Sequence, residues 1–303
     1  VDGAEVTTVD VTHRQTPQGR AVTAKGDGSF ANLVPEQART VLAGRTAFDI
    51  AATLLDAGGF DVERATLESG AVRADAHGTI DFAGASDFVL ELAAKDAPVD
   101  VTLSPENVLT VRSLSARAFG DGRQPMVDIT ADLPGVLAGN TRVERLTLTA
   151  HSDGFSVEAR RGPLAAEFSA GSVTVENAAA ITDASGTVTS TDFDLANLAG
   201  PLTAAIRAAR VAADDPTLAT LLAGQVTVEA TGALEGNAVA LEQANLRSDA
   251  ASVQVAGRVG FNEAIALDVN ADVLSAALPE AVRDRLAERV TASGKIGMDE
   301  LGN

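Results

Sequence analysis

Strict alternation of apolar and polar residues is the feature that most constrains how this chain folds. IALDVNADV at 265–273 places an apolar side chain at every second position, with polar residues or alanine between them. QVTVEATG at 225–232 and SVQVAGRVGF at 252–261 repeat this period of two. A parallel sheet buried on both faces would instead show continuous apolar runs, so the pattern favours half-buried antiparallel strands. We therefore predict a mainly β fold.

Short segments between the strands carry the end signals of helices. Pro35 stands at a first helical position and Gly44 at a stop, while Asp215 is placed to cap a second helix that ends at Gly224. These signals predict short interspersed helices within residues 34–44, 214–224 and 278–289. The alanine-rich stretch 194–212 predicts one or two further helical turns.

One succession of segments occurs twice, roughly 180 residues apart. A helix ending in Leu-Ala-Gly precedes a strand, a strand ending in Leu-x-Ser, a strand ending in Gly-x-apolar-x-Phe, and a last strand. This match indicates internal duplication, and such units stack into an elongated, quasi-one-dimensional array. We divide the chain into residues 1–34, completing a preceding repeat; 35–99, a repeat unit of helix and β-meander; 100–213, a middle β-section with short helices; 214–274, the second matched unit; and 275–303, the truncated start of a third.

The chain is expected to be a piece of a longer polypeptide. It opens on Val1 rather than Met, and it stops in GKIGMDELGN, which resembles a strand just begun. A missing leader or anchor therefore says nothing about targeting. No run in the sequence approaches the ~20 apolar residues that a membrane-spanning helix needs.

The composition excludes several classes of function. The formal charge is −19 and the pI is about 4.4, and phosphate binding needs clustered cations, so nucleic acid is not an expected partner. Without Cys, the chain has no disulfide framework, thiol nucleophile or Cys-based metal site. It has ten Phe but no Trp or Tyr, the residues that enzyme pockets and protein hot spots usually use.

No catalytic or metal-ligating constellation stands out. The three histidines are far apart in sequence and are interpreted as surface or turn residues: His13, His77 and His151. GDGSF at 26–30 and GDGRQ at 120–124 lack the spaced oxygen ligands of a calcium loop, so we interpret both as turns. We predict that the chain is not an enzyme and holds no metal or cofactor.

The repeat resembles the TamB family, the inner-membrane-anchored subunit of the translocation and assembly module in Gram-negative bacteria, within the AsmA-like group. The resemblance rests on the repeated helix stop, the Leu-x-Ser strand and the Gly-x-apolar-x-Phe ending. The residues that carry it are Leu42, Ala43, Gly44, Leu67, Ser69, Gly78, Ile80 and Phe82, and then Leu222, Ala223, Gly224, Leu246, Ser248, Gly257, Val259 and Phe261. The resemblance extends over most of the chain.

The resemblance implies a fold, a place and an activity. The fold is a long antiparallel sheet curled into a half-open, taco-like β-groove. The place is the periplasm, with an inner-membrane anchor outside this chain and an outer-membrane barrel partner of the TamA type. The activity is movement of phospholipid between the inner and outer membranes, with a role in outer-membrane biogenesis and protein assembly. No catalytic residues are implied.

Alternation by itself supports a groove for acyl chains, because an uncovered apolar face is a liability unless something binds it. The candidate lining residues are Phe48, Ile50, Ile80, Phe82, Val226, Val228, Val253, Val255, Val259, Phe261, Ile265, Leu267 and Val269. The alternative is that these side chains form a closed apolar core, in a structural or interaction protein such as an adhesin or scaffold that binds no lipid. A closed solenoid would show a shorter and stricter repeat than the one in this sequence.

Overall fold

The computed structural model describes residues 7–260, 265–283 and 285–298. The mainly β prediction is confirmed, because strands dominate, helices are few and short, and the antiparallel sheet is not closed. The chain groups into two units: residues 1–140 with 144–158, and residues 141–143 with 159–303. Each unit is described below by itself.

The first unit is an antiparallel meander followed by a rearranged end. Its strands are β1 (Thr8–Thr16), β2 (Gly19–Gly28), β3 (Thr46–Leu55), β4 (Gly59–Glu68), β5 (Val72–Asp81), β6 (Ala85–Ala94), β7 (Val99–Ser104), β8 (Asn107–Val111), β9 (Ser113–Asp121) and β10 (Met126–Ala138). Strands β1 to β6 pair in chain order, β6 pairs with β9, and β10 pairs with both β9 and β8. Strands β7 and β8 form a hairpin that comes between β6 and β9 in the chain and joins the sheet through the pairing of β8 with β10.

The second unit is a meander throughout its described strands. After β11 (Thr141–Ser152), whose first residues belong to this unit, come β12 (Arg161–Val175), β13 (Ala179–Asp194), β14 (Ala199–Ala213), β15 (Val226–Glu235), β16 (Ala238–Arg247), β17 (Ala251–Gly260), β18 (Ile265–Leu274) and β19 (Arg289–Met298). Strands β12 to β19 pair antiparallel in chain order.

Short helices interrupt the meanders where they were expected, but they are shorter than predicted. They are α1 (Glu36–Arg39), α2 (Pro216–Leu221) and α3 (Glu280–Arg283), with 3₁₀ turns at Ala31–Leu33 and Ser275–Ala277. Asp215 caps α2, since its carboxylate accepts a hydrogen bond from the Leu218 amide at 2.8 Å. Gly44 and Gly224 have φ of +77° and +82°, the left-handed conformation that ends a helix.

Two sequence-based predictions are wrong. Residues 199–213, expected to include helical turns, form strand β14, because Leu202, Ala204 and Ile206 pair on one face and override the helix propensity of alanine. Gly26 and Gly28, expected in a turn at 26–30, lie in strand β2. The other predicted turn is confirmed, because the Asp121 carboxylate accepts hydrogen bonds from the amides of Arg123 and Gln124.

The helices lie at one end of the strands in each unit. We call this end the helix rim; it holds α1 in the first unit, and α2 and α3 in the second. We call the opposite end the hairpin rim; it holds the turns at 17–18, 56–58 and 82–84 in the first unit and at 236–237 in the second. The division follows from antiparallel pairing, which places successive connections at alternate ends.

Two serines at the helix rim tie the segment after α1 and the end of α2 to the neighbouring strand connections. The Ser69 hydroxyl donates to the Val41 carbonyl at 2.7 Å and accepts from the Val72 amide at 2.9 Å. Ser248 makes the same pair of contacts, donating to the Leu221 carbonyl at 2.5 Å and accepting from the Ala251 amide at 3.0 Å. These are the serines of the Leu-x-Ser strand ends, so the motif has a structural role.

Candidate apolar groove

One face of the first unit is almost entirely apolar. Residues directly opposite in an antiparallel ladder point to the same side, so the register defines this face strand by strand. Phe48 pairs with Leu67, which pairs with Ala74, and Ile50 pairs with Ala65. The apolar residues on this face of β2 to β6 include Val22, Ala24, Gly26, Phe48, Ile50, Ala52, Leu54, Phe60, Val62, Ala65, Leu67, Val72, Ala74, Ala76, Gly78, Ile80, Phe88, Leu90 and Leu92.

This face is concave over β3 to β6. An open depression of about 320 Å³ lies on it. Its lining comes from four successive strands and is apolar apart from Thr66 and Asp75: Phe48, Ile50, Ala65, Leu67, Ala74, Ala76 and Leu90.

The second unit has an apolar face of the same kind. Val228 pairs with Leu246, Leu246 with Val253, and Val255 with Val269. From β14 to β18 the face consists of Leu202, Ala204, Ile206, Ala208, Val226, Val228, Ala230, Gly232, Leu234, Val239, Leu241, Ala244, Leu246, Val253, Val255, Gly257, Val259, Ile265, Leu267, Val269, Ala271 and Val273. No charged residue lies among these described positions.

No second layer covers either apolar face in the part of the chain that the structure describes. The buried apolar residues there are all Ala or Val, and every described Leu, Ile and Phe side chain retains some exposure. Several buried positions on the two faces lie at the helix rim, where Thr46 and Val72 are 1% exposed and Val226 is 4% exposed, while Ser86 is buried at the hairpin rim. At the hairpin rim Leu54 is 52% exposed. In the first unit the apolar face is therefore closed along the helix rim and open at the part of the hairpin rim formed by β2 and β3.

Apart from Phe82, the predicted lining residues that the structure describes fall on these faces. Phe48, Ile50 and Ile80 share the apolar face of the first unit. Phe82 lies just beyond β5 at the hairpin rim and is 37% exposed. Phe261 lies outside the described residues. The other predicted residues share the apolar face of the second unit: Val226, Val228, Val253, Val255, Val259, Ile265, Leu267 and Val269.

Sequence reasoning missed the residues beside a β-bulge. Val62 pairs opposite Ala52 and Ala65 opposite Ile50, with Glu63 as the extra residue between them. The bulge returns apolar residues three positions apart to the same face. Glu242 is the matching extra residue in β16, between Leu241 and Ala244. In the sequence, the bulge appears as apolar residues separated by two, three and then two positions. Recognition of this spacing would have added Leu67 and Leu246 to the predicted lining residues.

The opposite face of the sheet is polar and satisfies its own charges. The carboxylate of Asp49 on β3 forms salt bridges with Arg64 on β4, at an N–O distance of 2.8 Å, and with Lys25 on β2, at 3.1 Å. These hydrogen bonds, first from Arg64 and then from Lys25, hold the pKa of Asp49 below its usual value. In the second unit Lys295 bonds Asp268 at 3.1 Å. Cross-strand pairs of this type are typical of a face turned to water.

His151 is the one histidine with a distinct environment among the described residues. Its Nδ1 lies 2.5 Å from Asp128 and its Nε2 lies 2.7 Å from Asp153. The hydrogen bonds to Asp128 and then Asp153 raise the pKa of the imidazole. The ring is 42% exposed, as a surface histidine would be.

The described residues contain no group of three side chains placed to hold a metal ion. Every buried side-chain nitrogen or oxygen among them has a hydrogen-bond partner, so none is left directed toward a missing ligand. None of the described helices is long and apolar enough to span a bilayer. The apolar faces are therefore the features of these residues that most need a functional account.

Comparison with known proteins identifies no family. No family model matches the chain, and no curated protein or solved structure matches it. The resemblance to TamB stays a prediction, and function is argued from the geometry of the two faces.

Proposed function

We propose that this chain is a segment of a periplasmic, TamB-like bridge whose apolar groove carries the acyl chains of phospholipids between the inner and outer membranes. One observation carries the proposal: each unit has a continuous apolar face that no second layer of described residues covers. A large exposed apolar surface normally marks a binding site.

The energetics suit acyl chains. Each methylene group withdrawn from a membrane into water costs ~0.8 kcal/mol, so moving two long chains through water costs on the order of 20 kcal/mol. A face of Val, Leu, Ile, Ala and Phe removes most of this cost while the polar headgroup stays in water. Such an apolar face needs no specific residue at any one position, which agrees with the absence of a catalytic motif in the sequence.

The alternative of a closed scaffold finds less support in the burial pattern. A dry core would bury its largest apolar side chains, as protein interiors do. Within the described residues the largest fully buried side chains are Val72 and Thr46.

The test is lipid retention by the purified chain, measured by native mass spectrometry and by lipid extraction of the same sample. Val255→Asp and Leu267→Asp place a carboxylate on the apolar face, and Gln254→Asp and Asn270→Asp place the same group on the polar face of the same strands. We expect the first pair to lose co-purifying phospholipid and the second pair to keep it, with all four variants folded by circular dichroism.

A folded wild-type chain that takes up no phospholipid, even when lipid is added, would contradict the proposal. Equal retention by the two pairs of variants would also contradict it. Either result would favour the scaffold alternative.

A further inference from the structure

Arg20 is an exception on the apolar face of the first unit. In the register of β1 to β3 it lies directly opposite Gln15 on one side and Leu54 on the other. Among the residues that pair in the described ladder from β2 to β6, Arg20 is the one charged side chain on this face. His13 lies on the same face, opposite Val22, which is two residues beyond Arg20 in β2.

No carboxylate of the described residues pairs with Arg20. Lys25, on the same strand but the opposite face, bonds Asp49, and Arg64 bonds the same carboxylate. The chain has 42 acidic residues and 23 basic ones, so acidic partners are plentiful. The residues directly opposite Arg20 are instead Gln15 and Leu54, and neither carries a negative charge. The guanidinium of Arg20 is therefore available to bind an external anion.

The position of Arg20 fits the headgroup end of a lipid. It is the second residue of β2, at the hairpin rim, where the groove is open and the facing Leu54 is 52% exposed. A lipid whose acyl chains lie along Val22, Ala24 and Ile50 must place its headgroup in water. The helix rim is closed by buried side chains, so the headgroup leaves the groove at the hairpin rim.

We propose that Arg20, with His13 beside it, binds the phosphate of an anionic phospholipid whose acyl chains occupy this groove. The inference rests on the proposed function and adds to it a preference for lipids with a charged headgroup. A guanidinium offers two parallel N–H donors to phosphate oxygens, which makes arginine well suited to this role. Because the contact is exposed to water, we expect a preference of about fivefold rather than an absolute requirement.

The experiment is a competition between two lipids with identical acyl chains, phosphatidylglycerol and uncharged diacylglycerol. Both are offered in equal amounts in mild detergent at low ionic strength, and the retained lipid is measured by native mass spectrometry. We expect the wild-type chain to retain phosphatidylglycerol in about fivefold excess. Arg20→Gln should abolish the excess, so that the variant retains the two lipids in equal amounts. Lys25→Gln removes the same charge from the polar face of the same strand and should leave the excess intact.

The outcomes separate this inference from the proposed function. Equal retention of the two lipids by the wild type, or an excess that persists in Arg20→Gln, overturns the role of Arg20 while the groove remains. Retention of neither lipid overturns both. A parallel titration with inorganic phosphate, followed by NMR of the arginine side chains, addresses free phosphate as the ligand. Binding of inorganic phosphate that depends on Arg20 without lipid would overturn the headgroup assignment, and we expect none at millimolar phosphate.

Discussion

The ring of Phe48 lies over Gly26 on the neighbouring strand. The two residues pair directly in the β2–β3 ladder, and a Cβ atom built on Gly26 would lie 2.3 Å from Cε1 of Phe48. An aromatic ring that covers a cross-strand glycine lies along the sheet rather than standing up from it. Phe168 and Gly186 form a second pair of this kind, with a corresponding distance of 3.0 Å. In both pairs the missing side chain of the glycine leaves space that the ring occupies.

Gly26→Ala is expected to displace the Phe48 ring and to lower the free energy of unfolding by about 1 kcal/mol through overpacking. In a Phe48→Leu background the same substitution should cost much less, because the smaller side chain leaves room for the new methyl group. A double-mutant cycle measured by urea unfolding checks this coupling. The same cost in both backgrounds would mean that the ring does not cover the glycine in solution.

Gly78→Ala and Gly257→Ala are expected to be more damaging, by about 2–4 kcal/mol. Both glycines have positive φ, +104° and +132°, and a Cβ at either would lie 2.1 Å from a carbonyl oxygen of the next strand. A backbone atom cannot move aside as a ring can. Gly294→Ala is the matched control in a strand, because nothing lies within 4 Å of its added Cβ. Urea unfolding of all three variants gives the comparison, and a cost at Gly78 and Gly257 no larger than at Gly294 would be inconsistent with this packing.

Ser69→Ala and Ser248→Ala should each lower the free energy of unfolding by about 1–3 kcal/mol, because the helix-end carbonyl and the strand amide both lose a partner. Ser69 is 3% exposed, so water does not readily replace the hydroxyl. The exposed Ser293 provides a control, for which we expect a change within about 0.5 kcal/mol when it is replaced by alanine. Thermal or urea unfolding measures these differences. Wild-type stability in both Ser69→Ala and Ser248→Ala would remove the structural role assigned to the Leu-x-Ser motif.

The sequence predicted the positions of the strands better than it predicted which side chains share a face of the sheet. Alternation was enough to place Val253, Val255 and Val269 on one face, because β17 and β18 pair without interruption there. The pattern fails at the bulge beside Glu63, where two apolar residues three positions apart return to the same side. Local alternation does not say whether a chain will insert an extra residue, since that depends on pairing with the next strand.

The helices illustrate a second limit. Proline and glycine signals located α1 and α2 correctly, but α1 spans four residues where a longer periodic stripe suggested more. Whether the apolar face was covered could not be inferred from the sequence either, because alternation is the same for a dry core and an open groove.

His151 gives a prediction for the pH dependence of stability. Its pKa is raised in the folded chain, first by the hydrogen bond to Asp128 and then by that to Asp153. A raised folded-state pKa means that the imidazolium stabilises the folded state, fully at pH values below the unfolded pKa of about 6.5. This contribution is lost as the pH rises through the folded-state pKa. The stability difference between wild type and His151→Gln should therefore be larger at about pH 5.5 than at about pH 8.5.

Urea unfolding of both proteins at the two pH values provides the measurement, with an NMR titration of the His151 ring to locate its pKa directly. Asp153→Asn keeps the contact to Asp128 and removes the second one, so its titration should fall between those of the wild type and an unperturbed histidine. A stability difference that stays constant with pH would show that the ring contributes packing alone. The exposed position of the ring limits the size of the effect but not its sign, because solvent screens the carboxylates without reversing their charge.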